Sequence, residues 1–193
     1  IQNFPKQFAF RPKIQNAGKL KPAENFIVAG MGGSALGAEL IKSALPELNL
    51  TLWRNYNLPP NTYHLSPSAR GGSSSGGNTL VICSSYSGST EETLDAFETA
   101  RKRKLNLAAV TVGGKLLVLA KKYKVPYVLM PDTKIEPRLA LGFSVKSLLT
   151  LMGQKPVAKK LEILAKTLNP QKAEKSGKAL AEALWDQVPI IYA

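Results

Sequence analysis

Leu80-Val-Ile-Cys-Ser-Ser-Tyr-Ser-Gly-Ser-Thr-Glu-Glu-Thr-Leu94 is the stretch on which the reading of this chain turns. It opens with a short apolar run, Leu80–Ser84, of the kind found in strands buried on both faces. From Thr90 the spacing becomes helical and runs to Lys102. Between the two, residues 84–90 carry five Ser or Thr hydroxyls and one glycine. Strand, tight polar loop and helix in that order make half of a βαβ unit.

The same rhythm extends in both directions. Apolar runs at Phe26–Ala29, Leu50–Trp53, Leu107–Val112 and Tyr127–Met130 read as further strands, and Ala35–Ala44 and Lys115–Lys122 as further helices. The expected fold class is α/β, a doubly wound five-stranded parallel sheet of flavodoxin-like order 2-1-3-4-5. After Pro131 the pattern turns helical, with segments predicted at Pro137–Met152, about Val157–Leu168 and Gln171–Trp185. Pro137 suits a first helical position, where a missing N–H costs nothing. Residues 1–153 are expected to form the N-terminal domain and 154–187 a helical extension. Residues 188–193 read as the first strand of another domain, so the chain is expected to be part of a longer one. Ser66–Gly77 holds five Ser, four Gly and one Pro in twelve residues. It reads as a flexible loop where a crossover helix would normally lie.

Composition narrows the classes. The chain has 193 residues and 44% hydrophobic content, enough for a core without a staple. One cysteine, Cys83, excludes an intrachain disulfide, and one histidine, His64, leaves no basis for a zinc site. Lys and Arg outnumber Asp and Glu 26 to 13, for a net charge of +13, which suits anionic ligands. The Arg101–Lys104 run lies at a helix C-terminus, where cations complement the dipole, and no nucleic-acid-binding signature accompanies it. No apolar segment approaches the roughly 20 residues of a membrane span. The expectation is a cytoplasmic protein that binds neither nucleic acid nor membrane.

Two loops carry the chemistry. Gly30-Met-Gly-Gly-Ser-Ala-Leu-Gly37 follows one strand and opens a helix. Its glycines let backbone N–H groups approach a ligand, and Ser34 offers a hydroxyl for a helix cap or a ligand oxygen. The loop also fits G-x-G-x-x-A, a dinucleotide fingerprint, but the next strand ends Leu52-Trp-Arg-Asn-Tyr56 without the acidic residue that holds a ribose. Arg54 keeps an NADP-binding alternative open. The second loop, residues 84–90, places hydroxyls at a helix N-terminus, a ready anion site. Ser89 and Glu92 have the spacing of a capping box, which leaves Ser85, Ser87 and Thr90 unexplained by capping. In a 2-1-3-4-5 sheet both loops flank the topological switch point, where such sheets bind ligands. The inferred ligand is a phosphate ester.

Phe4-Pro-Lys-Gln7, GMGGSALGAEL at 30–40, SSYSGSTEETL at 84–94 and PRLALGF at 137–143 resemble the SIS (sugar isomerase) domain. The similarity is to the N-terminal half of the bifunctional phosphoglucose/phosphomannose isomerases. The resemblance implies two SIS domains per full chain, a homodimer, no cofactor and no metal, and interconversion of glucose 6-phosphate or mannose 6-phosphate with fructose 6-phosphate. It puts Gly32, Gly33 and Ser34 on the sugar side of the cleft, and Ser85, Ser87 and Thr90 on the phosphate, with Ser89 beside them. It makes Arg138 the catalytic arginine that steadies an enediolate. The family's catalytic Glu and His come from its second SIS domain, so this stretch alone is expected to be inactive. A non-catalytic phosphosugar sensor is the alternative. Ala38-Glu39 replaces a more usual Gly-Asp, and a Gly often found ahead of the Pro-Arg pair is missing.

Overall fold

The computed structural model describes residues 2–60, 62 and 78–190; His64 and the Gly/Ser-rich stretch 66–77 lie outside them. The five predicted strands appear as β2 (Asn25–Ala29), β3 (Asn49–Trp53), β4 (Thr79–Ser84), β5 (Asn106–Thr111) and β6 (Tyr127–Leu129). They pair in parallel in the order β3-β2-β4-β5-β6, which is the expected 2-1-3-4-5. The sheet has six strands rather than five. A two-residue β1 (Ile14–Gln15) pairs antiparallel with β6, Ile14 opposite Val128. Two residues carry too little periodicity to be read from sequence.

Alternation along each strand sorts side chains to two faces. Phe26, Val28, Leu80, Ile82, Ala108, Val110 and Val128 face one core, with Ala38 and Ile41 of α1 (Gly33–Ala44) and Val145, Leu148 and Leu149 of α4 (Leu141–Leu151). Ile27, Ala29, Val81, Cys83, Leu107, Ala109 and Tyr127 face the other. There they meet Ala96, Phe97 and Ala100 of α2 (Glu91–Lys102) and Leu116 and Ala120 of α3 (Gly114–Lys122). Both faces are covered, as a parallel sheet requires. Leu58, buried in the same cluster as Ile27 and Ala29, covers part of the face for which the sequence offers no crossover helix.

The C-terminal part is more broken than its periodicity implies. The helix predicted over 137–152 is a 3-10 turn, Pro137–Leu139, followed by α4. Pro137 does occupy the first position of its turn. The segment predicted over 157–168 divides into α5 (Lys155–Lys160), a 3-10 turn and α6 (Leu164–Thr167). The last helix, α7 (Pro170–Ala183), is capped by Asn169, whose side chain accepts from the Lys172 N–H. No residue of α7 is buried. Val188–Ile190 are exposed and lie outside the strands of the sheet, and 191–193 fall outside the described residues.

Candidate functional site

The loops after β2 and β4 meet at the carboxyl edge of the sheet, where α1 and α2 depart to opposite faces. They are fastened together. Ser34 Oγ accepts from the Tyr86 N–H at 2.9 Å, and Ser84 Oγ donates to the Ser34 carbonyl at 3.2 Å. Ser34 therefore caps nothing: the N-cap of α1 is Gly32, with φ +48°, and no side-chain cap bond is made. Having accepted from Tyr86, the Ser34 hydroxyl still has its own proton to give.

The 84–90 loop divides its hydroxyls between two tasks. Ser85 is 1% exposed; its Oγ accepts from the Gly88 N–H at 3.0 Å and lies 2.8 Å from Thr90 Oγ1. Ser87 and Ser89 are exposed and Thr90 is half-buried. The Ser87 Oγ accepts from the Ser89 N–H at 3.3 Å. Thr90, not Ser89, is the N-cap of α2, and no side-chain cap bond forms, so the capping box is absent. The reason is local: Thr90 Oγ1 is turned to Ser85 instead of to the helix. The N–H groups of Glu91, Glu92 and Thr93 thus remain at the mouth of α2 as helix geometry leaves them, without intrahelical acceptors.

Two acidic residues of α2, Glu91 and Asp95, are engaged by the segment after β3. Tyr56 Oη donates to Glu91 Oε2 at 3.3 Å, and the Asn57 N–H donates to Asp95. Glu92 foremost, with burial, Glu91 and Asp95, holds the Tyr56 phenol above its usual titration range, so it stays a donor at neutral pH. Arg54, the residue that kept an NADP site open, is paired with Glu39. Glu39 is the residue that departs from the family's usual Gly-Asp.

Arg138 reaches the site through its backbone. A Cβ on Gly33 would sit 2.4 Å from the Arg138 nitrogen, so the Pro137–Leu139 turn packs directly on the start of α1. The guanidinium, 70% exposed, lies 3.3 Å from Glu136, itself 61% exposed. That pair is weak enough for an anion to compete with it. The Gly32–Ser34 loop thus carries the Pro137–Leu139 turn on one side and is hydrogen-bonded to the 84–90 loop on the other, where Ser87 and Ser89 are exposed and Ser85 is buried.

A third loop supports the second. A Cβ on Gly88 would meet the Gly113 carbonyl at 1.9 Å, and one on Gly114 the Ser87 carbonyl at 2.2 Å. The Leu116 N–H donates to the Gly88 carbonyl at 2.8 Å, and Thr111 Oγ1 donates to the Gly113 carbonyl at 2.8 Å. Sequence reasoning passed over Gly113-Gly114; a glycine pair opening a helix after a strand was the available signal. Among the described residues no cluster of three His, Cys, Asp or Glu could hold a metal ion.

Fold and loops define a SIS-type sheet, and the comparisons agree with that class. A Bacillus subtilis protein provisionally described as a phosphosugar isomerase superposes with a TM-score of 0.50 at 19% identity, over 96% of this chain and 56% of its own. By sequence, the chain is related along its whole length to the bifunctional phosphoglucose/phosphomannose isomerases. It is 32% identical to that of Caldicellulosiruptor bescii and 29% identical to that of Aquifex aeolicus, each alignment covering 100% of this chain. The chain spans 58% and 56% of those two proteins, a little over half their length. No protein-family model matches the chain.

Proposed function

We propose that this chain is the sugar-phosphate-binding part of an aldose–ketose isomerase that interconverts glucose 6-phosphate or mannose 6-phosphate with fructose 6-phosphate. The observation that carries the reading is the group of exposed hydroxyls at the start of α2 at the switch point, with the Gly32–Ser34 loop hydrogen-bonded beside them. The phosphate accepts from the free N–H groups at the start of α2 and from Thr90, Ser87 and Ser89. In this reading Ser85, which already accepts from the Gly88 N–H, is the donor of the 2.8 Å bond to Thr90 Oγ1, which leaves the Thr90 proton for the phosphate. Each hydrogen bond to the charged ester contributes about 1.5–3 kcal/mol net, so three or four support micromolar binding after ordering costs.

The open-chain sugar lies toward Gly32, Gly33 and Ser34. Arg138 stabilises the negative charge of an enediolate between C1 and C2, a task suited to a guanidinium that never deprotonates. The base that moves the proton and the group that opens the ring belong, in this reading, to a second SIS domain outside these 193 residues, and the whole protein is a homodimer. The 193-residue chain then binds substrate without turning it over.

Calorimetric titration with fructose 6-phosphate tests the proposal. Wild type is expected to bind, with Ser87→Ala and Thr90→Ala weaker by about tenfold each, a loss near 1.4 kcal/mol. Equal heats for all three would overturn it.

A further inference from the structure

A cavity of about 450 Å³ lies away from the switch-point loops, between the N-terminal segment, α4 and α5. Arg11, Lys146, Lys155 and Lys159 line it, with Glu162 and Thr150. Four cations against one carboxylate leave a net charge of +3. Lys146 is unusual, since its side chain is only 2% exposed. Taking an ammonium out of water costs several kcal/mol unless its donors are met. Its Nζ makes one short bond, to the Phe8 carbonyl at 2.7 Å, and reaches Glu162 Oε1 only at 3.5 Å. That same oxygen is 3.6 Å from Arg11 Nε, so one carboxylate oxygen is shared between two cations. An ammonium has three protons, and the third has no acceptor among these contacts.

α5 adds to the excess. Lys155 and Lys159 are four residues apart, on one face of the helix, and both are exposed. Like charges at that spacing destabilise a helix by a few tenths of a kcal/mol, and no carboxylate is paired with either among the described ion pairs. A concavity with an excess of one sign of charge raises the local concentration of a small counter-ion.

We propose that this cavity is a second anion site, which takes a small, multiply charged phosphate compound of the diphosphate class. Lys146 and Arg11 hold one end of the anion, and Lys155 and Lys159 the other. The site is separate from the crevice, and none of the crevice residues lines it.

The test is calorimetric titration of the 193-residue chain with inorganic pyrophosphate, at an ionic strength of about 0.15 M so that diffuse attraction is screened. A saturable binding component is expected that weakens about tenfold or more in the Lys155→Gln/Lys159→Gln double variant. Both positions are exposed, so these variants are expected to keep the wild-type melting temperature. Thr90→Ala should leave pyrophosphate affinity at this site unchanged. So should Lys172→Gln/Lys175→Gln, which removes the same charge from α7. Unchanged affinity in the α5 double variant would overturn the proposal, as would an equal loss in the α7 variant, which would mark a non-specific basic surface. A loss confined to Thr90→Ala would reassign the binding to the crevice. Because fructose 6-phosphate binding is read separately, failure here leaves the crevice reading standing.

Discussion

Ser85 and Thr90 share a 2.8 Å hydrogen bond, yet only Thr90 has access to the crevice. The two hydroxyls should therefore fail differently. Thr90→Val removes a donor to the ligand and is expected to weaken fructose 6-phosphate binding with less than about 1 kcal/mol change in stability. Ser85→Ala strands the buried Gly88 N–H and is expected to cost about 1–3 kcal/mol of stability, read by denaturant unfolding. Gly88→Ala is harsher still. Its φ of +71° and the Gly113 carbonyl leave no room for a methyl group, so loss of the folded loop is expected. A circular-dichroism melt of that variant should fall well below the wild type. Arg138→Ala, by contrast, removes an exposed side chain and should leave the melt unchanged. It should weaken an acid analogue carrying a carboxylate at the sugar's reacting end more than fructose 6-phosphate itself.

At the scale of elements, α1 and α4 approach closely because Gly37 faces Ser144. A Cβ there would lie 2.5 Å from Ser144 Oγ. Gly37→Val is expected to destabilise by about 1–3 kcal/mol or more through overpacking, as checked by urea unfolding. α7 is the opposite case. None of its residues is buried, and Trp185 just after it is 77% exposed. Truncation after Leu168 is therefore expected to leave the melting temperature of the remainder within a few degrees of the full chain. α2 ends in cations, as its dipole favours, and Arg101 is already engaged, bonded to Glu98 at 2.7 Å and stacked 4.2 Å from the Tyr123 ring centroid. The basic run at 101–104 thus has a structural use within the domain.

For the whole molecule, the buried Cys83 reports on global stability. It sits at the centre of the sheet, 0% exposed, and burial pushes its thiol well above the usual range. A raised folded-state pKa means that its contribution is complete below the ordinary thiol pKa of about 8.5 and is lost as pH rises beyond it, by up to about 1.4 kcal/mol per unit. Cys83→Ala should show a shallower loss of stability between pH 9 and 10, on the order of that slope. The native thiol should also resist thiol-specific reagents until the sheet unfolds.

Much of this protein was legible in one dimension. Alternating apolar runs and helical spacing give strand order and layering, because a parallel strand buried on both faces has few other ways to be written. The hydroxyl-rich loop at 84–90 stands out for the same kind of reason, since a helix cap uses only one of its five alcohols. What tertiary structure alone decided is which hydroxyl is buried within the loop and which stays partly open at its surface. Ser85 and Thr90 are alike as residue types, and only their burial separates them. The predicted capping box is absent because the helix starts one residue later, with Thr90 as N-cap and its hydroxyl bonded to Ser85. The edge strand Ile14–Gln15, the bracing Gly113-Gly114 loop and the pocket around Lys146 arise from contacts between residues far apart in the chain, such as Lys146 with Phe8 across 138 positions. Local periodicity holds no record of such meetings, because they form only when the layers close on one another.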